Sequence, residues 1–208
     1  MLKGRATVAD SSLIRSPFHG HKTGARPSRA GVVGVHLSAS TLASVTLVST
    51  WHSGILALGL ALDKALGQTM PERNGQVVQA DAAMVMRTGP EEFMLVSDRP
   101  ADMTAFLRQT IRADVGSVTN LSHARCRIQI QGEKCLETLS KLFALDLRED
   151  AFPLHEIRLT GHHHVPCTLH RRGAMLFDMY VFSTYAHDQL ATLLDAALEY
   201  GVNLKSTG

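Results

Sequence analysis

The sequence predicts an α+β protein made of two similar β-α-β-β-α halves with extra leading strands. Three observations predict it. Short β-branched runs alternate with stretches of helical period. Gly89 precedes Phe93 by four positions, as Gly173 precedes Phe177, and each Phe opens a short apolar strand leading into a helix. The two landmarks lie 84 residues apart. Two copies at so long a period exclude a solenoid and fit two α+β halves whose sheets pack together under their helices. The expected organisation is a flexible basic arm over residues 1–30, a first half over 31–115 and a second half over 116–208, the halves forming one compact unit.

The first half opens with the β-branched runs "GVVGVHLS" and "ASVTLVSTW"; in the second, Val45, Leu47 and Ser49 alternate against Thr46, Val48 and Thr50. A helix is expected from about Ser53 to Leu66. Its stripe runs through Ile55, Gly59, Leu62 and Leu66 and is widened by Leu56 and Leu60, with Pro71 shortly beyond. Two strands, "QADAAMVMRTG" and "EEFMLVS", flank a turn at Gly89-Pro90. A second helix follows Ser97-Asp98, with Pro100 in its first turn and Met103, Phe106, Leu107, Thr110 and Ile111 facing the core.

The second half repeats the order. "RCRIQIQG" places Arg125, Arg127, Gln129 and Gln131 on one strand face and Cys126, Ile128 and Ile130 on the other. A helix from about Glu133 to Leu145 buries Leu136, Leu139, Leu142 and Phe143. The strands "HEIRLTG", "HHVPCTLHRRG" and "FDMYVFS" follow. The last helix starts after Ser183-Thr184, faces its core with Leu190, Leu193, Leu194, Ala197 and Leu198, and ends at Gly201.

Composition bounds the function. At 208 residues, 45% hydrophobic and 19% charged, the chain can bury a real core as an ordinary globular protein. No apolar run approaches the roughly 18 residues that span a membrane. The closest run, Ile55 to Leu62, contains Gly59 and is bounded by Gly54, Asp63 and Lys64. The net charge of +2 hides an asymmetry: residues 1–30 hold six Lys or Arg against the single Asp10, so the remainder carries −3. The body is mildly acidic, which argues against nucleic acid as a partner. The arm is rich in Ser, Gly, Arg and Pro, has no apolar period and lacks a signal-peptide core, so it reads as a segment that orders on a partner. Three cysteines, Cys126, Cys135 and Cys167, odd in number and without C-x-x-C spacing, argue against a disulfide framework or a closed zinc site and point to a reducing cytoplasm.

Several residues invite a chemical reading. Ser122 and His123 are neighbours on an extended chain and point to opposite faces, so they do not pair as nucleophile and base; no G-x-S-x-G surrounds the serine. Ser122 and Asn120 are expected to satisfy turn backbone, with His123 packing at the strand entrance. The run "GHHHVPCTLHRRG" offers His162, His163, His164, Cys167 and His170, good zinc or copper ligand types. As one continuous strand it divides them, His162, His164 and His170 to one face and His163 and Cys167 to the other, and Pro166 restricts it to an edge or a bulge. No Gly-rich phosphate cradle is present, so the chain is expected to bind no nucleotide of its own. Asp146, Glu149 and Asp150 read as solvated charge around a helix end. The expectation is a chain without catalytic, cofactor-binding or metal-binding residues, a subunit that helps another chain do chemistry.

The order of motifs also carries a resemblance. "NLSHARCRIQIQGEKCLETLSKLFALDL", then "AFP", a strand pair ending "LHRRG", and "FDMYVFSTYAHDQLATLLDAALEYG" together resemble the gamma-subunit family of heterotetrameric sarcosine oxidases. The shared order is L-S-H, a strand, a G-x-x-x-x-x-x-L helix, L-D-L, F-P and an F-D-x-Y-V strand. It covers about Val118 to Gly201 well and Ala43 to Arg112 in register. That family is similar in turn to the folate-binding domain of the glycine-cleavage T-protein. The resemblance implies a structural subunit of a flavoenzyme that oxidises the N-methyl group of sarcosine, with tetrahydrofolate accepting the one-carbon unit. It further implies alpha, beta and delta companion subunits that hold FAD, FMN, NAD and zinc.

Other readings stay open. They are the equivalent subunit of an N-methyl amino-acid dehydrogenase acting, for example, on N-methylglutamate; a stand-alone folate-binding protein; and a metal-binding protein using His162, His164 and His170. Between Leu147 and Phe177 the chain lacks the T-protein's G-G-x-x-D-D segment, and Asn120 stands where Asp is common in these families. Both departures weigh against independent folate chemistry.

Overall fold

A computed structural model of the chain describes residues 16–51, 54–98 and 103–207. Residues 1–15 of the expected arm, Ser53 at the expected start of the first helix, and Pro100 lie outside the described residues. In chain order the elements are β1 (Gly24–Arg26), β2 (Val35–Thr41), β3 (Ser44–Thr50), α1 (Ile55–Leu66), β4 (Val77–Gln79), β5 (Met84–Gly89), β6 (Glu92–Ser97) and α2 (Met103–Thr110). They continue with β7 (Gly116–Asn120), β8 (Arg125–Gln131), α3 (Cys135–Ser140), β9 (Glu156–His162), β10 (Val165–Gly173), β11 (Leu176–Phe182), α4 (Ala186–Ala197) and β12 (Val202–Thr207).

The strands form a five-stranded sheet, β4-β5-β6-β3-β7, and a seven-stranded sheet, β1-β12-β2-β8-β11-β10-β9. The duplication is visible strand by strand: β3, β4, β5 and β6 hold the places in the smaller sheet that β8, β9, β10 and β11 hold in the larger. The leading strands are exchanged. β2 pairs antiparallel with β8, and β7 pairs antiparallel with β3, so each half lends its first strand to the other half's sheet. A sequence division at 115/116 therefore does not follow sheet membership. Each sheet thus includes a strand from the other half.

The 84-residue repeat extends to the hydrogen-bond ladder. Arg87 pairs with Phe93 and Gly89 with Glu92 across an irregularity; Arg171 pairs with Phe177 and Gly173 with Leu176 across the same one. Such a bulge bends the strand and re-aims the arginine. Each guanidinium lies over its phenylalanine ring, at 5.6 Å for Arg87 and 5.4 Å for Arg171.

Apolar strand faces then collect into three cores. Leu37, Ile128, Ile130, Leu169, Phe177 and Met179 of the larger sheet pack under Leu139, Leu190, Leu193 and Ala197 of α3 and α4. Val48, Val85, Phe93 and Leu95 of the smaller sheet pack under Leu58, Leu62, Met103 and Leu107 of α1 and α2. Val45, Val77, Met84, Met86, Met94 and Val96 meet Ile157 and Tyr180 between the sheets.

Six details differ from the sequence expectation, the first being that Leu198, expected on the core face of the last helix, is 43% exposed just past the end of α4. α1 buries Leu58 and Leu62, while Leu56 and Leu60 are 79% and 70% exposed; a helix apolar almost all round does not define one stripe by period. On α2, Phe106 is exposed and Thr104 is buried against Thr46, their hydroxyls 2.6 Å apart. α3 ends at Ser140, and the chain beyond it turns so that Phe143, Leu147 and Phe152 enter the core. β12 adds parallel to β2 after α4. The end of the expected arm also has a place: β1 pairs with β12, and Phe18 is fully buried in the larger core.

Candidate functional site: a charged cluster between the sheets

The second face of the larger sheet is polar where it meets the smaller one. β8 contributes Arg127 and Gln129, β10 contributes His170 and Arg172, and β11 contributes Asp178 and Tyr180. Alternation places them together: Phe177, Met179 and Val181 go to the helical core, so Asp178 and Tyr180 go to the other side. Asp178 is fully buried. Its carboxylate accepts from Arg172 Nη1 (3.2 Å) and Gln129 Nε2 (3.1 Å), with the Tyr180 hydroxyl at 3.5 Å. Arg127 Nη1 donates to Asp98 Oδ2 at 2.9 Å. Burial pushes the Tyr180 phenol well up, and the Asp178 charge adds to that effect. Tyr180 is therefore a neutral donor, not a base.

Two cavities flank the cluster. One of 200 Å³ is lined by Asp81, Met84, Asp98, Arg127 and Arg172 among others, and one of 450 Å³ by Val77, Gln79, Met84, His155, His170 and Arg172. Neither has a Phe, Tyr or Trp in its lining on which a pterin or flavin ring could stack. Burial pushes the His170 imidazole down to about 3, with the Arg172 and His155 charges acting in the same direction. The arrangement pairs Asp178 with Arg172 and Asp98 with Arg127. It is a neutralised network that orients strands and presents no activated nucleophile.

The residues singled out in the sequence are dispersed. Asn120 Oδ1 accepts from the Ser122 N–H (2.9 Å), and Ser122 Oγ accepts from the Val45 N–H (3.0 Å), so the turn reading of these two residues holds. His123 does not pack at the strand entrance; it is exposed, and only its carbonyl is engaged, by Ser183 Oγ at 2.8 Å.

The histidine run is not one strand. His163 and His164 take positive φ values of 49° and 65° and form the two-residue turn of the β9–β10 hairpin, a conformation that both central residues of such a turn require. The predicted division of ligands is therefore corrected. His162 pairs with Val165 and so shares a face with Cys167, while His170 lies on the opposite face. His162 Nδ1 is hydrogen-bonded to Gln189 Oε1, and Gln189 Nε2 donates to the His162 carbonyl (3.2 Å). Among the described residues no group of three or more His, Cys, Asp or Glu is placed to hold a metal ion. Pro166 is tolerated because β11 pairs with β10 only from Thr168 onward, leaving that side of Pro166 open.

All three cysteines are free and buried; burial pushes the Cys135 thiol up to about 11 and the Cys167 thiol up to about 12, against thiolate chemistry. Asp146 is held by Arg148, which pulls its carboxyl down to about 2, on the exposed turn that composition predicts.

The motifs thus have structural causes. In the G-x-x-x-x-x-x-L pattern, Gly132 has φ 125°, and a Cβ there would lie 2.4 Å from the Gly34 carbonyl oxygen, while Leu139 is fully buried. In F-P, Phe152 packs on Phe177 with ring centroids 6.0 Å apart. Sequence reasoning missed the Arg127–Asp98 and Arg172–Asp178 pairs because each joins separate elements: Asp98 lies just past the end of β6 and Arg127 on β8, Arg172 on β10 and Asp178 on β11. The polar face read in "RCRIQIQG" was the available signal.

Fold and site together define a duplicated α+β domain with exchanged leading strands and an internally neutralised polar interface. The chain belongs to the GCVT N-terminal domain family, whose profile matches residues 59–207. It is similar to the sarcosine oxidase gamma subunit of Corynebacterium sp. (strain P-1), 26% identical over 196 residues, covering 93% of this chain and 94% of that one. The corresponding subunit of Arthrobacter sp. is 26% identical over 198 residues, with the same coverage. Among solved structures, a chain of heterotetrameric sarcosine oxidase from Corynebacterium sp. U-96 has the same fold, with TM-score 0.71 and 23% identity over 80% of this chain and 85% of that one. The glycine cleavage system aminomethyltransferase T from Bartonella henselae matches with TM-score 0.59 and 14% identity, over 83% of this chain and 48% of that one.

Proposed function

We propose that this chain is the gamma-type subunit of a sarcosine-oxidase-type flavoenzyme and that its role is structural. The observation that carries the reading is the extent of the similarity: the relatives named sarcosine oxidase subunit gamma align over 93% of this chain and 94% of their own length, so the likeness is not confined to one shared module. The site geometry supports it, since Ser122, His162, Cys135 and Cys167 are each engaged or suppressed by the fold. The alpha, beta and delta subunits of the complex are the partners. FAD, FMN, NAD and zinc belong to them, as does folate, for which the inter-sheet cavities offer no aromatic platform. The complex oxidises the N-methyl group of sarcosine and works in the cytoplasm. No helix among the described residues is long and apolar enough to cross a membrane.

The test is to purify the chain alone and with its companions. The lone chain is expected to lack flavin absorbance and sarcosine-dependent dye reduction, both of which the assembled complex has. Turnover by the lone chain refutes the reading.

A further inference from the structure

His170 is a buried polar side chain that the fold leaves unused. It is 2% exposed on β10, and neither ring nitrogen has a hydrogen-bond partner among the described residues. Register sets it opposite Asp178, but that carboxylate is engaged by Arg172 and Gln129, with the Tyr180 hydroxyl beside it. A buried imidazole without partners costs free energy unless the adjoining space supplies them.

That space is the 450 Å³ cavity between the sheets. Val77, Met84 and His170 form its buried part, and Gln79, His155 and Arg172 its exposed rim. Both sheets hold the rim in place: the His155 N–H donates to the Arg171 carbonyl (2.9 Å), and the His155 carbonyl accepts from the Val77 N–H (2.9 Å). Arg172 engages Asp178 through Nη1, and its other guanidinium donors have no partner among the described residues. None of the six lining residues is an acid. The Arg172 and His155 charges both act against protonation of His170, so the potential at its ring is positive.

We propose that this cavity binds a small organic monocarboxylate, its carboxylate held by the His170 N–H and the free donors of Arg172, its apolar body against Val77 and Met84. His170 and Arg172 are two apart on β10 and face one cavity, so one carboxylate can accept from both. Charge-assisted bonds from a guanidinium favour that group over a neutral amide. The apolar floor favours an aliphatic acid over an inorganic oxyanion. The site lies within this chain, so its test is independent of the subunit reading.

Butyrate is the probe, titrated into the purified full-length chain, with butyramide and sulfate as comparisons and the imidazole nitrogen resonances of His170 as the reporter. Butyrate is expected to bind in the millimolar range and to move those resonances. Butyramide keeps the shape without the charge and is expected to bind roughly 10-fold more weakly. Sulfate keeps charge without the apolar body and is expected to be weaker by a similar factor, roughly 10-fold. His170→Phe keeps a ring in place and removes nitrogens that bond no described residue. It is expected to melt no lower than wild type and to bind butyrate roughly 10-fold more weakly.

No shift with butyrate overturns the proposal and leaves a cavity that holds solvent alone. Equal binding of butyramide overturns it by showing that charge is not recognised, and equal binding of sulfate by showing that the apolar floor plays no part. Unchanged butyrate affinity in a folded His170→Phe places the probe elsewhere and is equally fatal. If that variant does not fold, the three probes on the wild-type chain decide.

Discussion

Arg87 and Arg171 occupy equivalent positions, so one substitution made at both separates the effect of a shared motif from the effect of its surroundings. Arg171 is 3% exposed, and its donors serve the carbonyls of Leu147 and Phe152 at 2.8 and 3.0 Å and, at a longer 3.4 Å, that of Ala174. Arg171→Met keeps the apolar stem, removes the two short bonds and the longer one, and leaves the Leu147 and Phe152 carbonyls facing a methyl group. Hydrogen bonds to a charged donor contribute about 1.5–3 kcal/mol each, so the loss is expected to be about 3–5 kcal/mol. The Glu149 carboxylate at 3.7 Å is largely exposed and adds little. Arg87 makes the same kind of bonds to Pro71, Glu72 and Pro90, but at a half-buried position where water can replace it. Arg87→Met is therefore expected to cost only about 1 kcal/mol. Urea unfolding of the purified chain, read as a shift in midpoint at unchanged slope, measures both. Equal losses at the two positions would refute the claim that the buried loop, and not the motif, decides what the arginine contributes.

Further outcomes follow from burial. Phe18→Ala should destabilise by about 3–5 kcal/mol, and deletion of residues 1–30 should lower the melting temperature of the free chain, because Phe18 and β1 belong to the fold. His170 resists protonation in the fold, with a pKa of about 3 against an ordinary 6.5, so its contribution is present above pH 6.5 and is lost as pH falls from 6.5 toward 3. His170→Met should flatten stability against pH in that window, where each unit of pH otherwise removes about 1.4 kcal/mol. Titration calorimetry of the isolated chain with tetrahydrofolate should give no binding heat; micromolar binding would restore the stand-alone folate reading.

Much of this was legible in the residues. The Gly89/Phe93 and Gly173/Phe177 spacing marks the duplication, and the bulges at Arg87 and Arg171 are its physical content. Alternation in "RCRIQIQ" correctly assigned both faces of β8, because one face meets a continuous helical core. The exchange of β2 and β7 was not legible, since pairing partners far apart in sequence leave no local period. The histidine run misled for a related reason: polar residues at the apex of a two-residue turn look like strand until the φ values of His163 and His164 are known. α1 failed by excess, its apolar residues surrounding the helix so that period alone could not separate the buried Leu58 from the exposed Leu56.

The central claim is that this chain is a structural subunit with no chemistry of its own, and native mass spectrometry of the complex, purified through a companion subunit, tests it most directly. One copy of this chain per complex is expected, carrying no flavin, nucleotide, folate or metal mass when it is released from the assembly. A released chain bearing any of these masses, or a complete active complex lacking the chain, would contradict it.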